Sequence, residues 1–511
     1  MEIRSRTFAE TWATAVAAHG ERTFLVFRSD ADKDTSYSYA GFDRMVARTA
    51  GMLATRGVVP GSRVHVALRN SPAFLLVWLA LAKMGAVLVA VDPASTAQDV
   101  ARQIKRTSPV LGIAAEARRE AYEEGARGLL ADPIFVREDE RDALDGAPLL
   151  GEPQDPARPR VADQLALLFT SGTTSEPKAV VLTQANYAYI AQTMAELACL
   201  RESHRWLVTL PLFHGNAQFY CFSAAIHVGA SVALTSRFSA SNWVRHAREL
   251  QATHASLFAA PIRMILARTP ADTNPIQLQH VWFAQSLGSE HYADFTALVG
   301  CRPRQLYGMT ETTAIVTADL SATPRSDTIG TVIPGREIYL ADPVDFTPVQ
   351  PGTPGVVMVS GERGTTLFCE YLDNPVANAA AFVKVNGREW FRTGDLAEET
   401  GEGQLKFVGR IDDVIKVAGE NVSLTEVEAA VAQAPGVLEA AVLSREDPIR
   451  DHVPVAYVVR KPGATECTED SLTAWADIHL VPQARPREWH FIDELPRTSV
   501  GKIRRFKLAS A

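Results

Sequence analysis

Short apolar strands alternate with helices through the first part of the chain, and this alternation constrains the fold more than any other feature. Thr7 begins a helix, and a strand over Thr23–Arg28 follows it. Ser71 and Pro72 have the N-cap and first-turn chemistry of another helix, which precedes a short apolar strand at residues 86–91. Residues 116–159 lack periodicity and are expected to form surface helices and loops. The pattern predicts an α/β protein.

The chain has 511 residues, which exceeds the size at which one hydrophobic core stops growing, so at least two domains are expected. Residues 327–410 are short β-type segments separated by Gly and Pro, typical of a β-rich subdomain. Ser423 and Glu426 have the spacing of a capping box, and their helix is expected to end near Gly436, before strands at 440–443 and 453–459. The sequence therefore predicts a large N-terminal domain of packed α/β subdomains plus the β-rich subdomain (1–410) and a small C-terminal α+β domain (411–511).

Charge and cysteine usage exclude several classes of protein. A formal net charge of −8 argues against general nucleic-acid binding, which requires clustered Lys and Arg. The five cysteines lack CxxC spacing and are expected to be reduced core residues, which favours the cytoplasm. The N-terminus lacks the apolar core of a signal peptide, and the longest apolar run, residues 72–82, is too short to span a bilayer.

Residues 170–178 form the segment best suited to bind an anion. They follow an apolar strand and hold five hydroxyl residues, one Gly and one Lys in nine positions. Backbone N–H groups around Gly172, the hydroxyls and the Lys178 ammonium can all face phosphate oxygens. Taken alone, the segment is equally compatible with a solvated turn. It lacks Walker A spacing, and no GxGxxG follows a strand to indicate a dinucleotide fold.

Three further segments carry matching chemistry. Tyr307, Thr310 and Glu311 offer a ring for stacking, a hydroxyl for phosphate and a carboxylate for Mg²⁺. Asp395 follows a tight Gly position, where it can accept both hydroxyls of a ribose. Residues 409–416 join the two predicted domains. Each of these segments alone is also compatible with an ordinary turn or a surface ion pair.

In this order, and with residues 495–503 near the C-terminus, the segments resemble the superfamily of adenylate-forming enzymes. That superfamily includes acyl-CoA synthetases, the adenylation domains of peptide synthetases and firefly-type luciferases. The resemblance covers nearly the whole chain and is closest in type to acid–CoA ligases. It implies ATP and Mg²⁺ as cofactors, a small domain that rotates during the reaction, and a homodimer, which is common among relatives.

The resemblance also implies a role for each matching residue. The residues expected to bind ATP are Thr170, Ser171, Gly172, Thr173, Thr174, Lys178, Tyr307, Gly308, Asp395 and Arg410. The residues expected to be catalytic are Lys502, Thr310, Glu311 and His214, with Glu311 as the Mg²⁺ ligand and Asp412 as the hinge. An acid oxyanion must attack a phosphate that is itself negative, so the site needs cations such as Lys502 that face the developing charge.

The chain departs from the family pattern at several positions. Ser175 and Ala179 replace the usual glycines of the phosphate loop, and Val500 replaces the usual Thr. Both loop substitutions are small, so the loop is stiffened without being obviously blocked. Residues 284–290 also differ from the Gly-Gly-Ala-Pro run of many relatives.

The resemblance places the acid pocket around residues 211–221 and 284–290. The predicted lining residues are Phe213, Asn216, Gln218, Cys221, Gln285, Ser286 and Gly288. A long alkyl chain would leave their hydrogen-bonding groups unpaired, which favours a small or polar acid. Trp282, Phe219 and Cys221 are alternatively suited to line an apolar slot.

Three functions remain compatible with these residues. The first is an acid–CoA ligase, favoured because no carrier-protein segment is fused to the chain and because Gly419 and Glu420 match the family's pantetheine tunnel. The second is the same adenylation with a carrier protein or an amine as acceptor, including activation of nitrite for an arylamine. The third is a binding protein with a relic site, which Lys178, Asp395 and Lys502 argue against.

Overall fold

Helices and strands alternate along most of the chain, as the sequence predicts. The structure is a computed structural model that describes residues 6–138, 148–154, 158–170, 177–401, 403–418, 420–447, 449–496, 503 and 505–508. The α-helices are α1 Phe8–His19, α2 Tyr39–Thr55, α3 Pro72–Met84, α4 Ala97–Thr107, α5 Arg119–Ala126, α6 Gln184–Leu197, α7 Ala224–Val228, α8 Trp243–Glu249, α9 Ala259–Arg268, α10 Ser289–Val299, α11 Pro375–Ala381, α12 Leu424–Val431, α13 Glu469–His479 and α14 Arg505–Leu508.

The strands form four sheets. The strands up to the third sheet are β1 Thr23–Arg28, β2 Asp34–Ser38, β3 Arg63–Ala67, β4 Val87–Ala90, β5 Leu111–Ala115, β6 Ile134–Val136, β7 Gln164–Thr170, β8 Lys178–Thr183, β9 Arg205–Val208, β10 Ser231–Thr235, β11 His254–Phe258, β12 His280–Ala284, β13 Arg304–Tyr307, β14 Thr317–Ala318, β15 Thr331–Val332, β16 Glu337–Ala341, β17 Gly355–Ser360, β18 Glu370–Tyr371, β19 Phe382–Val385, β20 Arg388–Glu399 and β21 Leu405–Arg410. The last sheet consists of β22 Val414–Val417, β23 Glu420–Ser423, β24 Val437–Asp447, β25 Asp451–Arg460 and β26 Glu488–Phe491.

Two sheets with parallel centres make up most of the large N-terminal region. Their strand orders are β15-β14-β13-β12-β11-β9-β10-β1-β2 and β18-β8-β7-β4-β3-β5-β6. Strands β9 to β13 run parallel where they pair, so their carboxyl ends meet at one edge of the first sheet. Ligands of open α/β sheets bind at such an edge. The segments that the sequence singles out at residues 209–221, 285–288 and 308–312 all follow these strands.

Helix α3 is buried along almost its whole length. Ser71 caps its N-terminus by accepting a hydrogen bond from the Phe74 N–H at 3.4 Å, and Gly85 ends it in the left-handed region with φ of +66°. The Trp78 ring stacks on Phe8 of α1 at 5.3 Å. Burial on all sides explains why this helix is apolar on every face. No helix within the described ranges is long and apolar enough to cross a bilayer.

The third sheet is antiparallel and carries part of the predicted nucleotide site. Strands β16, β17, β20 and β19 pair in that order, and β21 pairs with the other end of the long strand β20. The β20–β21 register places Asp395 opposite Arg410. This is the β-rich subdomain that the sequence predicts for residues 327–410.

The fourth sheet belongs to the small C-terminal region and has its own core. Leu424, Val427 and Val431 form the buried stripe of α12 and pack against this sheet. Ser423 caps α12 by accepting from the Glu426 N–H at 3.2 Å. The Glu426 carboxylate does not complete the predicted capping box but pairs with Lys406 Nζ at 2.8 Å, on strand β21.

Three sequence expectations were wrong in detail. Residues 116–159 include strand β6, which extends the second sheet because Ile134 and Val136 find buried places beside β5. Helix α12 ends at Val431, several residues before Gly436, because the chain continues in short turns, in which the Ala434 N–H donates to the Val431 carbonyl at 3.0 Å. Cys199 is exposed, in a left-handed turn with φ of +48° after α6, and is not a core residue.

Candidate active site

The β7–β8 hairpin presents Thr170 and Lys178 side by side. These residues are the last pair in the antiparallel register of β7 and β8. Several predicted site residues lie outside the described residues, namely Ser171, Gly172, Thr173, Thr174, Ser175, Gly419, Val500 and Lys502. Their roles stay predictions.

Glu311 lies at the centre of a polar cluster next to this hairpin. Its Oε1 accepts hydrogen bonds from the Tyr371 hydroxyl at 3.0 Å and the Thr170 hydroxyl at 3.5 Å. Lys178 Nζ lies 4.9 Å from the centre of the Tyr371 ring, within cation–π range. Burial, and then the Glu311 charge, raise the pKa of Tyr371, so its hydroxyl stays a donor. The cluster therefore fixes the orientation of one carboxylate oxygen.

Asp395 organises a second cluster on strands β20 and β21. Its Oδ2 accepts a hydrogen bond from the Tyr307 hydroxyl at 2.8 Å, and its Oδ1 lies 3.5 Å from Arg410 Nη1. Its N–H donates to the Thr393 hydroxyl at 3.1 Å. Gly394 supplies the tight position before it, with φ of +76°. The carboxylate is 5% exposed, so the protein holds it in place before any ligand binds.

The charge of Arg410 links the Asp395 cluster to the Glu311 cluster. Burial opposes the charge of Arg410, but the nearby carboxylates of Asp395 and Glu311, in that order, raise its pKa above the ordinary value. Arg410 in turn acts on the hydroxyl of Tyr371 and works against the rise in its pKa. Interactions of this kind weaken with distance, so Arg410 lies near enough to both carboxylates for their charges to act on it.

The predicted acid side begins with the turn after β9 and a π-helix over Asn216–Ser223. The ring of His214 lies 4.7 Å from that of Phe213 and is partly exposed. Asn216 is buried, and its Oδ1 has no partner among the described residues. π-helical turns leave backbone and side-chain groups unusually placed and are frequent at functional sites.

Gln218 and Cys221 are deeper in the same π-helix. Gln218 is fully buried, and its amide accepts from the Tyr187 hydroxyl at 2.6 Å and donates to the Leu212 carbonyl at 2.6 Å. Burial raises the pKa of the Cys221 thiol well above its usual range, which keeps the thiol protonated. Both side chains therefore act in packing the helix rather than offering free polar groups.

The loop after β12 supplies the remaining acid-side residues. Gln285 and Ser286 are exposed, and Gln285 has a positive φ of 75°. The Gln285 carbonyl accepts from Gln305 Nε2 at 3.3 Å. Gly288 lies beside the small domain, since a Cβ at this position would come within 3.0 Å of Gln433 Cγ. The loop is thus shared between the acid side and the domain contact.

The predicted hinge lies where the two domains meet. Asp412 is exposed in a short 3₁₀ turn over Ile411–Asp413, directly after β21. Asp413 lies 3.8 Å from Arg505 of the small domain. The position is suited to a hinge, and the hinge role stays a prediction.

Tyr371 and Tyr220 are site residues that sequence reasoning missed. Tyr371 reaches Glu311 only because β18 adds to the edge of β8, which no local motif indicates. Tyr220 lies in the π-helix, and its hydroxyl would be 3.4 Å from a Cβ placed at Gly308. The only signal for Tyr220 was its place in the segment predicted to border the acid pocket.

Comparison with known proteins accounts for the order of these segments. Residues 12–372 match the AMP-binding enzyme family, and residues 426–502 match the C-terminal domain of AMP-binding enzymes. A crotonobetaine/carnitine–CoA ligase from Salmonella arizonae is 31% identical over 97% of this chain and 97% of its own length. One of the same name from Salmonella typhimurium is 28% identical over 98% of each chain.

Solved structures support the fold. The anthranilate CoA ligase AuaEII in complex with anthranoyl-AMP matches with a TM-score of 0.88 at 22% identity, over 100% of this chain and 98% of that chain. A benzoate CoA ligase from Burkholderia xenovorans matches with a TM-score of 0.85 at 24% identity, over 98% and 99% of the two chains. The chain therefore belongs to the AMP-binding enzyme family, the ATP-dependent ligases that form adenylates.

Proposed function

We propose that this enzyme activates a small or polar carboxylic acid with ATP and transfers the acyl group to coenzyme A. In the first step an oxygen of the acid attacks the α-phosphorus of ATP, and the bond to pyrophosphate breaks. In the second step the sulfur of coenzyme A attacks the acyl carbonyl carbon, and AMP leaves as the carbon–oxygen bond breaks. The products are an acyl-CoA thioester, AMP and pyrophosphate.

The observation that carries the proposal is the convergence of Glu311, Asp395 and Arg410 at one site. Asp395 and Arg410 face each other on β20 and β21, and the charges of Asp395 and Glu311 both raise the pKa of Arg410. A cation near two carboxylates, beside a hairpin with Thr170 and Lys178, suits a nucleotide with its metal ion. A ribose would face Asp395, and the phosphates would face the hairpin.

Mg²⁺ fits the residues present. Mg²⁺ prefers oxygen ligands and is commonly held by one or two carboxylates together with substrate phosphates. Tyr371 and Thr170 bond only to Oε1 of Glu311, which leaves Oε2 without a donor among the described residues. Within those residues, no group of three or more His, Cys, Asp or Glu is arranged as a metal cage. When bound, the ion would neutralise charge on the transferring phosphate.

The residues of the chain have separate tasks in this scheme. Tyr371 orients Glu311, and Arg410 together with Tyr307 orients Asp395. Thr310, at the start of a 3₁₀ turn after β13, would bind the α-phosphate. Lys502 would bridge the acid oxygen and the α-phosphate, where a preorganised cation stabilises charge that appears in the transition state.

Coenzyme A as acceptor is supported by the relatives. Two relatives named as crotonobetaine/carnitine–CoA ligases align over nearly the full length of both chains. A polar acid is supported by the acid side, where Asn216 Oδ1 is buried without a described partner and Gln285 and Ser286 are exposed. An apolar chain next to such groups would leave them unpaired at a cost of about 1–3 kcal/mol each.

Two experiments test the proposal in sequence. Exchange of labelled pyrophosphate into ATP is measured with a panel of carboxylic acids and with nitrite, with Lys502→Ala as the inactive reference. Coenzyme A is then added, and the products are identified by mass spectrometry. We expect exchange with at least one carboxylic acid and its thioester after coenzyme A is added. Exchange without a thioester would replace coenzyme A by another acceptor, and exchange with nitrite alone would replace the carboxylic acid.

Compartment and assembly are further parts of the proposal. The five cysteines have no disulfide partner, which favours a reducing compartment such as the cytoplasm. We expect no nucleic-acid partner, and a homodimer remains a prediction that sedimentation of the purified protein would check.

A further inference from the structure

Arg336 is a buried cation that the nucleotide chemistry does not use. It is 8% exposed and directly precedes β16. Nη1 donates to the Thr366 carbonyl at 2.6 Å, while Nη2 donates to the carbonyls of Thr312 and, at 3.4 Å, Ala314. The guanidinium lies 5.2 Å from the centre of the Tyr189 ring. Its contacts are therefore with dipoles and a ring face.

No carboxylate within the described ranges pairs with Arg336, and its Nε has no hydrogen-bond partner there. Burial lowers its pKa, although the guanidinium stays protonated. Buried charges in proteins are as a rule paired, because an uncompensated charge in a low-dielectric interior is costly. A cation held by carbonyls alone is thus ready to accept an anion or a strong hydrogen-bond acceptor.

Arg336 lies beside the predicted acid side. The Thr312 carbonyl that accepts from it belongs to the 3₁₀ turn that also carries Thr310 and Glu311. Tyr220, from the π-helix, comes close to the same turn, since a Cβ placed at Gly308 would lie 3.4 Å from its hydroxyl and 3.5 Å from Thr312 Oγ1. Tyr220 is itself buried, at 7% exposed, and its ring lies 6.5 Å from that of Phe219.

The two side chains influence each other. Burial raises the pKa of the Tyr220 hydroxyl, and the charge of Arg336 works against that rise. Tyr220 and Tyr189 in turn act on Arg336. A cation and a phenolic hydroxyl next to the same turn of the chain supply donors suited to a group with oxygen acceptors.

We propose that Arg336 and Tyr220 select acids that carry a second anionic or strongly accepting oxygen group away from the carboxylate that is adenylated. The inference rests on the proposed function and specifies its substrate class. An acid whose far end is a quaternary ammonium is disfavoured, because it would bring a second positive charge next to an unpaired guanidinium. Arg336 is a specificity residue in this account and takes no part in the transfer of the adenylate.

The test uses three acids with one framework: benzoate, 4-carboxybenzoate and 4-(trimethylammonio)benzoate. Acid-dependent pyrophosphate exchange is measured on the full-length enzyme, and kcat/KM is compared between the acids. We expect the wild type to prefer the dianion over the cation by at least about tenfold, the scale of one charge-assisted hydrogen bond. Arg336→Met should lower kcat/KM for the dianion by roughly 10- to 100-fold and leave the other acids within about threefold.

Two further variants separate selection from structure. Tyr220→Phe keeps the packing of the ring. It should lower kcat/KM only for the dianion, by a factor of about three to ten. Arg304→Met is the matched control, because Arg304 also donates to backbone carbonyls, at 2.9 and 2.8 Å, but does so away from the site. It should leave the ratio between the acids unchanged. Thermal unfolding of each variant records any loss of stability.

The inference is overturned if the wild type uses the cationic acid as well as the dianion. It is also overturned if Arg336→Met and Tyr220→Phe lower kcat/KM for all three acids by one factor, since that result assigns Arg336 a purely structural role. Absence of exchange with every carboxylic acid, including those of the wider panel, overturns the proposed function instead. The two failures are thereby distinguishable.

Discussion

The nucleotide side and the acid side of this site are built in opposite ways. On the nucleotide side, Glu311 and Asp395 are each held by side chains from other segments. On the acid side, Asn216 Oδ1 and Arg336 Nε are buried without partners in the described part of the chain. On the nucleotide side the protein thus holds both carboxylates in place before a ligand binds, although Glu311 Oε2 and Arg410 Nε have no partner in the described part of the chain. On the acid side the groups left without partners are an amide oxygen and a guanidinium nitrogen, which nothing described holds for a particular acid.

The difference follows from what each side has to recognise. ATP is constant, so its site gains from carboxylates that are fixed before binding and need no reorganisation. The acid varies among members of the family, and unpaired groups reject any acid that cannot complete their hydrogen bonds. Changes on the nucleotide side should therefore affect all acids equally, and changes on the acid side should alter the ratio between acids.

The largest effect is expected for Glu311→Gln. Loss of the carboxylate removes the oxygen available to Mg²⁺, and we expect kcat for pyrophosphate exchange to fall by roughly 10²–10³. The fall should be the same for every acid that the wild type uses. Glu290→Gln, on the exposed start of α10, is the control and should leave kcat unchanged. A fall confined to one acid would break the distinction between the two sides.

Asp395→Asn should act mainly on ATP. The amide keeps the shape but loses the ion pair with Arg410, and we expect KM for ATP to rise by roughly 10- to 100-fold with a smaller change in kcat. Tyr307→Phe removes only one neutral donor to the same carboxylate and should have a smaller effect. Steady-state kinetics with ATP varied at saturating acid provides the measurement. An unchanged KM for ATP would remove Asp395 from the nucleotide side.

Asn216→Ala tests the acid side. Loss of the buried amide should change the ratio of kcat/KM between a polar and an apolar acid by a factor of about two to ten. KM for ATP should stay the same. The ratio is measured with benzoate and a hydroxylated benzoate in one competition assay. A raised KM for ATP together with an unchanged ratio would contradict the assignment.

The smallest effect is expected at the domain contact, which belongs to neither side. Lys406 and Glu426 are both about half exposed and 2.8 Å apart, so their pair is worth at most about 1 kcal/mol. We expect Lys406→Glu to change the rates of both half-reactions by no more than about fivefold. The double variant Lys406→Glu/Glu426→Lys should restore them in stopped-flow measurements. Failure of the double variant to restore the rates would show that the pair does not act through its charges.

Helices and strands were predictable where residues close together in the sequence determine where they begin and end. Strand Thr23–Arg28 and helix α3 lie where the sequence indicates, because capping residues and a Gly in the left-handed region mark the ends of α3. Strand β6 was missed because it has only three residues and is held by its pairing with β5, which no local motif indicates. The half-formed capping box at Ser423 shows the same limit, since Glu426 binds a lysine of another domain instead.

The residues of the site also divide into those that a local motif predicts and those that only the folded structure brings to the site. Glu311 and Asp395 were predictable because they belong to motifs with fixed neighbours in the sequence. Tyr371 and Arg336 were not, because each reaches the site through a strand pairing or a buried side chain that no motif encodes. Gln218 was assigned to the pocket as an available polar group, yet its amide oxygen already accepts from Tyr187 and its amide nitrogen already donates to the Leu212 carbonyl.

The close approach of Gly288 to Gln433 has a practical consequence for redesign. The loop that carries Gln285 and Ser286 touches the small domain, so a graft that brings in the equivalent loop of another ligase also changes the contact between the two domains. Any bulkier residue at this position must displace the Gln433 side chain, even if the new acid fits. Libraries that aim at another acid should therefore vary residue 433 together with residues 285–288. Variants are then selected both for use of the new acid and for a suitable contact with the small domain.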